Sequence, residues 1–361
     1  MSRFLNKQDI IEILYGATLL SSGGGGPLKM GIRLIEETDA KETINLELFD
    51  VDEMEDGTYG AMNAALGSPV AMETNAFDFS DSCNAYLGFR EEMARGGKNL
   101  KYIYSGEYGG LNTAVPIYTA IVTKTPLLDL DTNMRAVPEL NTGVLPNKGK
   151  AAYPVILSNN QGDVACAYPK DPNDSKATET MARALCMAYG MKIGFSTWAL
   201  NKEEMKTLLT PGSLSHAQKA GKALLKAKAE KADIFETLSQ VIPCRKMGVG
   251  TIENVELVQK DGFDFGTTTL MLDSGKMVID FKNEHMLVRD ESGKVLITVP
   301  DMVCLVDLDS YEPLTNDQIK AGQKVVVLAT PCAEMWNFAG GYDCFRHILA
   351  KLGYEGERVA Y

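Results

Sequence analysis

Several things are scarce in this chain, and each shortage removes a class of function. Basic residues are outnumbered, with 36 Lys and Arg against 48 Asp and Glu and a formal net charge of -12. A surface that grips phosphates needs the opposite balance, so nucleic acid is excluded as a partner and an anionic membrane is disfavoured. No run approaches the roughly 18 apolar residues of a membrane span, and Met1-Ser2-Arg3-Phe4 leads into polar residues rather than a signal core. The seven cysteines are odd in number, widely spaced and never CxxC, which excludes a disulfide framework or a zinc knuckle. Buried thiols in a reducing cytoplasm are the expectation. Histidine occurs only at 216, 285 and 347, with no HxH or HExxH grouping. No GxSxG elbow is present, and no glycine loop carries the Gly-Lys-Ser/Thr of a nucleotide site, so no nucleotide cofactor is expected.

What is present reads as two folded parts. A length of 361 residues suggests two domains. Asn6 is placed to cap a first helix, which Ser21-Ser22-Gly23-Gly24-Gly25-Gly26-Pro27 breaks before a second helix reaching about residue 37. Strands are expected at 43–49, 69–72, 100–104 and 126–130, with helices at 83–94 and 111–122 between them. That alternation points to a mostly parallel α/β domain. Asn159-Asn160-Gln161-Gly162-Asp163 marks a hairpin, and helices are expected over 176–189, 202–209 and 213–230. After Ile242-Pro243 the pattern becomes short β runs with turns at Asp273-Ser274-Gly275 and Glu291-Ser292-Gly293. The expected division is an α/β domain over 1–242, a β-rich domain over 243–332, and a C-terminal segment over 333–361 whose helix (343–352) packs back on the first domain.

The residues that carry chemistry lie at expected strand ends. Glu73, Glu107 and the pair Asp129/Asp131 each fall at or just past the carboxyl end of a strand, where open α/β sheets bind ligands. Clustered carboxylates repel, so one is protonated or a cation compensates, either Arg135 or a metal. In Glu107-Tyr108-Gly109-Gly110-Leu111-Asn112, the glycines allow close backbone approach at a helix start, and Asn112 sits in its first turn. The amides of Gly24, Gly25 and Gly26 are positioned either to meet an anion or simply to make a tight helix–helix turn, and spacing alone does not choose.

Seven stretches together resemble the S-methyl-thiohydantoin desulfurase-like family. They are Leu19-Leu20-Ser21-Ser22 with the glycine run, Gly67-Ser68-Pro69 with Glu73, and Glu107 through Asn112. The others are Leu128-Asp129-Leu130-Asp131 with Arg135-Ala136-Val137-Pro138-Glu139-Leu140, Gly212-Ser213-Leu214-Ser215 with Ala217, Phe281-Lys282-Asn283-Glu284, and Pro300-Asp301-Met302-Val303. The resemblance implies an N-terminal α/β domain, a C-terminal β domain, and a role in hydantoin and thiohydantoin breakdown beside hydantoinases. The chain departs from the family pattern at Met134, where glycine is usual, and at Gly340-Gly341-Tyr342-Asp343-Cys344 near the end.

The expected function is a hydrolase or desulfurase in which water attacks C2 of a hydantoin- or thiohydantoin-type ring. Glu107 is the first choice of base and Asp131 the second. Arg135, the glycine amides of the two loops, Asn112 and Glu73 bind the ring. Asp129, Asp131 and Glu139 are the candidate ligands of a divalent metal ion. The alternative is a non-catalytic protein that binds a metabolite, or a partner subunit of a hydantoinase-type enzyme. ATP-dependent ring opening is the weakest reading. A small-molecule substrate and a homo-oligomer or hydantoinase-type partner complete the expectation.

Overall fold

The computed structural model describes residues 2–67, 77–260 and 263–361. The strand expected at 69–72 and Glu73 lie outside the described residues. The first sheet contains β1 (Arg3–Leu5), β2 (Leu46–Phe49), β3 (Thr58–Gly67), β4 (Asn99–Ser105), β5 (Leu127–Asp131), β6 (Val155–Ser158), β7 (Val164–Ala167) and β8 (Lys192–Asn201). Their order is β1-β2-β5-β4-β3-β8-β6-β7. The central strands β2, β5, β4 and β3 pair in parallel, while β1 on one flank and β8, β6 and β7 on the other pair antiparallel. The parallel α/β rhythm is thus confined to the middle of the sheet.

Helices α1 (Lys7–Leu20), α2 (Leu28–Lys41), α3 (Ser80–Arg95) and α4 (Gly110–Thr123) accompany this sheet. Asn6 caps α1 as its sequence position implies. Its Oδ1 accepts the Asp9 amide at 3.1 Å, and Asp9 Oδ2 accepts the Asn6 amide at 3.0 Å.

The short strands β1 and Pro313–Leu314 were not expected, and neither were two long ones, β3 and β8, for which the reason is packing. β3 is rich in glycine and alanine, poor strand formers on an exposed surface. Inside the sheet the small residues fit close neighbours: a Cβ at Gly60 would stand 2.8 Å from the Met205 terminal methyl and 3.0 Å from Leu128, so these side chains would have to shift. In β8, a Cβ at Gly194 would stand 2.0 Å from the Asp81 carbonyl oxygen, where α3 starts against the strand.

The second sheet is antiparallel throughout. It is built from β9 (Arg245–Lys260), β10 (Phe263–Leu272), β11 (Gly275–Lys282), β12 (Glu284–Asp290), β13 (Val295–Thr298), β14 (Met302–Asp307), β15 (Pro313–Leu314) and β16 (Lys324–Thr330). The two-part architecture is therefore an α/β domain followed by a β-rich domain. The expected last helix is instead two short ones, Gly340–Asp343 and Arg346–Lys351. This segment returns to the first part of the chain, where Trp336 Nε1 donates to the Asn133 carbonyl at 2.7 Å.

The glycine run is the seam between the two parts. The Ser22 carbonyl accepts the His285 amide at 2.7 Å, and the Gly23 carbonyl accepts the Asn316 amide at 2.8 Å. On the other side, the Gly25 carbonyl accepts the Asn112 amide at 3.0 Å, and the Ser21 carbonyl accepts the Ala136 amide at 3.4 Å. Gly25 has φ +77°, and a Cβ there would stand 2.3 Å from the Tyr108 carbonyl oxygen. Side-chain-free backbone is what lets four segments meet here.

A pair of substitutions separates backbone conformation from close approach. Gly57 also has positive φ, at +73°, but nothing lies within 4 Å of its missing Cβ. Gly57→Ala is expected to cost about 1–2 kcal/mol, the left-handed conformation alone. Gly25→Ala should cost a further 1–3 kcal/mol or so from overpacking. Denaturant melts of the two variants test this, and equal losses would show that the seam tolerates a methyl group.

Candidate functional site

The carboxyl ends of β4 and β5 lie side by side, with Ser105 in register with Asp131. A short turn from β4 into α4 carries Glu107. Its Oε2 accepts the Val137 amide at 2.8 Å, and its Oε1 accepts a bond from the Asn112 side chain. Glu107 keeps some accessible surface, as do its partners Asn112 and Val137. Burial pushes its carboxyl up to about 7 against the pull of the Val137 amide, and the neighbouring Asp131 pushes in the same direction as burial.

Asp131 is fully buried. Its Oδ1 accepts the amides of Asn133 at 2.8 Å and Met134 at 2.6 Å. Its Oδ2 has no hydrogen-bond partner among the described residues. Burial raises this carboxyl to about 7 as well, against the two amides. The Ser105 hydroxyl also favours the charged form, without reaching hydrogen-bond geometry to Oδ2.

Arg135, also fully buried, is held by two backbone carbonyls: Nε donates to Ala136 at 2.9 Å and Nη1 to Pro300 at 2.7 Å. Its Cζ lies 5.6 Å from the centre of the Phe345 ring. Its Nη2 is unpartnered among the described residues. Burial lowers the guanidinium's proton affinity, and Glu284 is the first of the groups that restore it.

Glu284 reaches this point from β12 of the second sheet. It is only 3% exposed, and its Oε2 also lacks a partner among the described residues. A Cβ on Gly24 would stand 2.2 Å from Glu284 Oε1, so the glycine run passes directly beneath this carboxyl. Burial first, and Glu107 second, hold Glu284 well above the ordinary carboxylate range.

The glycine run thus lies in the same neighbourhood as Glu107. A Cβ on Gly109 would stand 2.1 Å from the Gly25 carbonyl oxygen, and one on Gly110 2.4 Å from Leu28 Cα. Among the described residues, the amides of Gly23 to Gly26 donate no hydrogen bond within the chain. The run is both a tight turn and a set of donors that no described residue engages.

Two expected members stand elsewhere. Asp129 is two residues from Asp131 but serves another neighbour: it accepts the Ser215 amide at 2.9 Å and the Ser215 hydroxyl at 2.5 Å, capping the helix Ser213–Glu230. Glu139 accepts a bond from Lys282 Nζ and contacts His347 Nε2 at 2.8 Å. Burial would raise Glu139, but these two partners hold it down at about 2. The expected metal set of Asp129, Asp131 and Glu139 is therefore corrected, because each carboxylate has its own partners and Glu139 already faces an ammonium. Among the described residues, no group of three or more His, Cys, Asp or Glu side chains is arranged to hold a metal ion.

Met134 lines two cavities. One, of about 530 Å³, is lined by Arg3, Asp129, Ser215, His216 and Lys219 among others; the second, of about 180 Å³, by Met302, Thr330 and Cys332. Met134 and His216 border both. Met134 has φ +51°, which accounts for the preference for glycine at this position in the resemblance described above. The strain is tolerated because Asp131 clamps its amide.

Sequence reasoning missed Glu284 and Lys282. Both lie in a β-patterned stretch, where charged residues read as solvent-facing. The available signal was the stretch Phe281-Lys282-Asn283-Glu284 already quoted for the resemblance, with three polar residues in succession.

Comparison with known proteins agrees with this architecture. The N-terminal domain of the S-Me-THD-like family matches residues 8–168, and its C-terminal domain matches residues 173–346. Comparison with curated protein sequences finds no match. Among solved structures, a crystal structure of a protein from Chromobacterium violaceum, a structural-genomics target, is similar at a TM-score of 0.87. The two share 24% identity, and the alignment covers 99% of each chain, a likeness of fold. With both family domains matched in order along nearly its whole length, this chain belongs to the S-Me-THD-like family.

Proposed function

We propose that the protein is a hydrolase of a hydantoin- or thiohydantoin-type ring, acting as a desulfurase. The observation that carries this reading is Glu107, a half-buried residue at a strand's carboxyl end whose carboxyl is fixed by two donors and raised to about 7. A base works best when its proton affinity lies near the working pH. The family's printed name supports the choice of ring.

On an S-methyl-thiohydantoin, a water oxygen bonds to ring carbon C2 while one of its protons passes to Glu107. The C2–S bond then breaks, and the sulfur leaves as methanethiol with the proton that Glu107 returns. The products are a hydantoin and methanethiol, so atoms and charge balance with water as the only co-reactant. Arg135 offsets the negative charge that builds on the ring during attack. Asp131, behind Glu107, keeps that carboxyl's proton affinity high enough to act near neutrality. The amides of the glycine run, which donate to no described residue, offer further donors to a ring carbonyl.

Glu107→Gln keeps the shape of the side chain and removes the proton acceptor. Turnover of an S-methyl-thiohydantoin is expected to fall by about 10²–10⁴-fold. Melting temperature should change little, because the substitution also removes a buried repulsion with Asp131. Normal turnover in the folded variant would take Glu107 out of the chemistry and leave Asp131→Asn as the next variant to assay.

The pH profile follows from the same shift. The base acts only when ionised, so kcat/KM should rise with pH and level off above about 7, reporting the raised carboxyl of the free enzyme. A rate that instead falls through this range would require the protonated form and would overturn the role of Glu107 as base.

A further inference from the structure

The cavity of about 530 Å³ is distinct from the Glu107 cluster, since Glu107, Asp131, Arg135 and Glu284 do not line it. It lies where the parallel strands β2 and β5 end, with Asp50 just past β2 and Asp129 on β5, against the start of the helix Ser213–Glu230. Open α/β sheets bind ligands at this edge. The volume falls within the range of small-molecule sites, about 300–1,000 Å³.

Two cations line the cavity, and among the described residues neither forms an ion pair. Arg3, opposite Leu48 in the sheet, is held through Nη2 by two neutral oxygens, Ser215 Oγ at 3.2 Å and Gln218 Oε1 at 2.5 Å. Its Nε and Nη1 donate to no described residue. Lys219 is exposed and follows Ser215 by four positions, on the same face of the helix. The two carboxylates of the wall are already engaged. Asp129 accepts the Ser215 amide and hydroxyl, and Asp50 accepts the Asp52 amide at 3.0 Å. The half-buried His216 ring bonds to no described residue. Burial first, and Lys219 second, lower its proton affinity, so the neutral ring offers one donor and one acceptor. Leu48, Met134 and Pro211 give the cavity an apolar wall.

We propose that this cavity binds a small carboxylate with a short branched apolar tail, the carboxylate meeting Arg3 and Lys219 and the tail lying against Leu48, Met134 and Pro211. The inference does not depend on the hydrolase reading. A guanidinium matches a carboxylate with parallel N–H donors, and an ammonium adds a point charge beside it. Asp50 and Asp129 limit the charge that the cavity accepts. A dianion would meet both of them, and a ligand ammonium next to the carboxylate would meet Arg3 and Lys219. A single negative charge is what the wall favours.

The test is calorimetric titration of the full chain, with melting temperatures recorded alongside. The probes are 4-methylpentanoate, its amide, leucine, acetate and inorganic phosphate. Wild type should bind 4-methylpentanoate, and bind its amide at least about tenfold more weakly, the scale of a lost charge-assisted hydrogen bond. Acetate, without the tail, should also bind at least about tenfold more weakly. Leucine has the same skeleton with an added ammonium and should bind more weakly, as should phosphate. Arg3→Gln should weaken 4-methylpentanoate at least about tenfold. Lys219→Gln, at an exposed position that tolerates the change, should weaken it about threefold or more. Glu107→Gln should bind it as wild type does. No heat of binding with folded wild type at millimolar 4-methylpentanoate would overturn the site. So would equal affinity for the amide, or unchanged affinity in the folded Arg3→Gln and Lys219→Gln proteins. If Arg3→Gln does not fold, Lys219→Gln alone decides. Tighter binding of leucine or phosphate would overturn the ligand class, and loss of binding in a folded Glu107→Gln would move the ligand to the Glu107 cluster.

Discussion

A guanidinium taken wholly out of water is expensive, and much of this molecule is arranged around that expense at Arg135. Two backbone carbonyls, one from the neighbouring residue and one from the second domain, satisfy part of it. Phe345, from the returning C-terminal segment, lies 5.6 Å from the group. Glu284 and Glu107 both act on it, and burial disfavours ionising either carboxyl. The cluster is therefore both the electrostatic centre of the junction and the reason its carboxyls hold protons near neutral pH.

Such a cluster forms only where backbone segments come unusually close. Ser21 to Gly25 supply carbonyls to both domains, and the two glycine loops touch with no side chains between them. Close approach has a chemical consequence. Among the described residues the amides of the run donate to nothing, and the carboxyl of Glu284 lies over Gly24. The geometry that closes the domain interface also leaves it donors to spare.

Around this centre the other charged groups have settled roles. Asp129 holds the start of the helix Ser213–Glu230, and Glu139 is engaged by Lys282 and His347. Met134, at φ +51° with its amide held by Asp131, lines two cavities. Expectation and outcome diverged here because a strand end is a common address for both catalytic and capping carboxylates. Asp129 and Asp131 share that address and differ only in what the tertiary fold brings against them.

The local features were legible because they are local. The Asn6 cap, the break at the glycine run, the strand ending before Glu107 and the turns of the β-rich domain all follow from residues within a few positions of one another. Strands β3 and β8 were not legible, because their glycines answer to neighbours distant in sequence, such as Met205 and Asp81. Glu284 was hidden for the same reason: a glutamate in a β pattern is written for solvent until a loop more than 250 residues away covers it. Sequence alone thus determined the elements, the two-part architecture and the placing of Glu107 at a strand end. The tertiary fold decided which carboxyls share one desolvated space, because proton affinity depends on what lies within a few ångströms and not on what lies nearby in the chain.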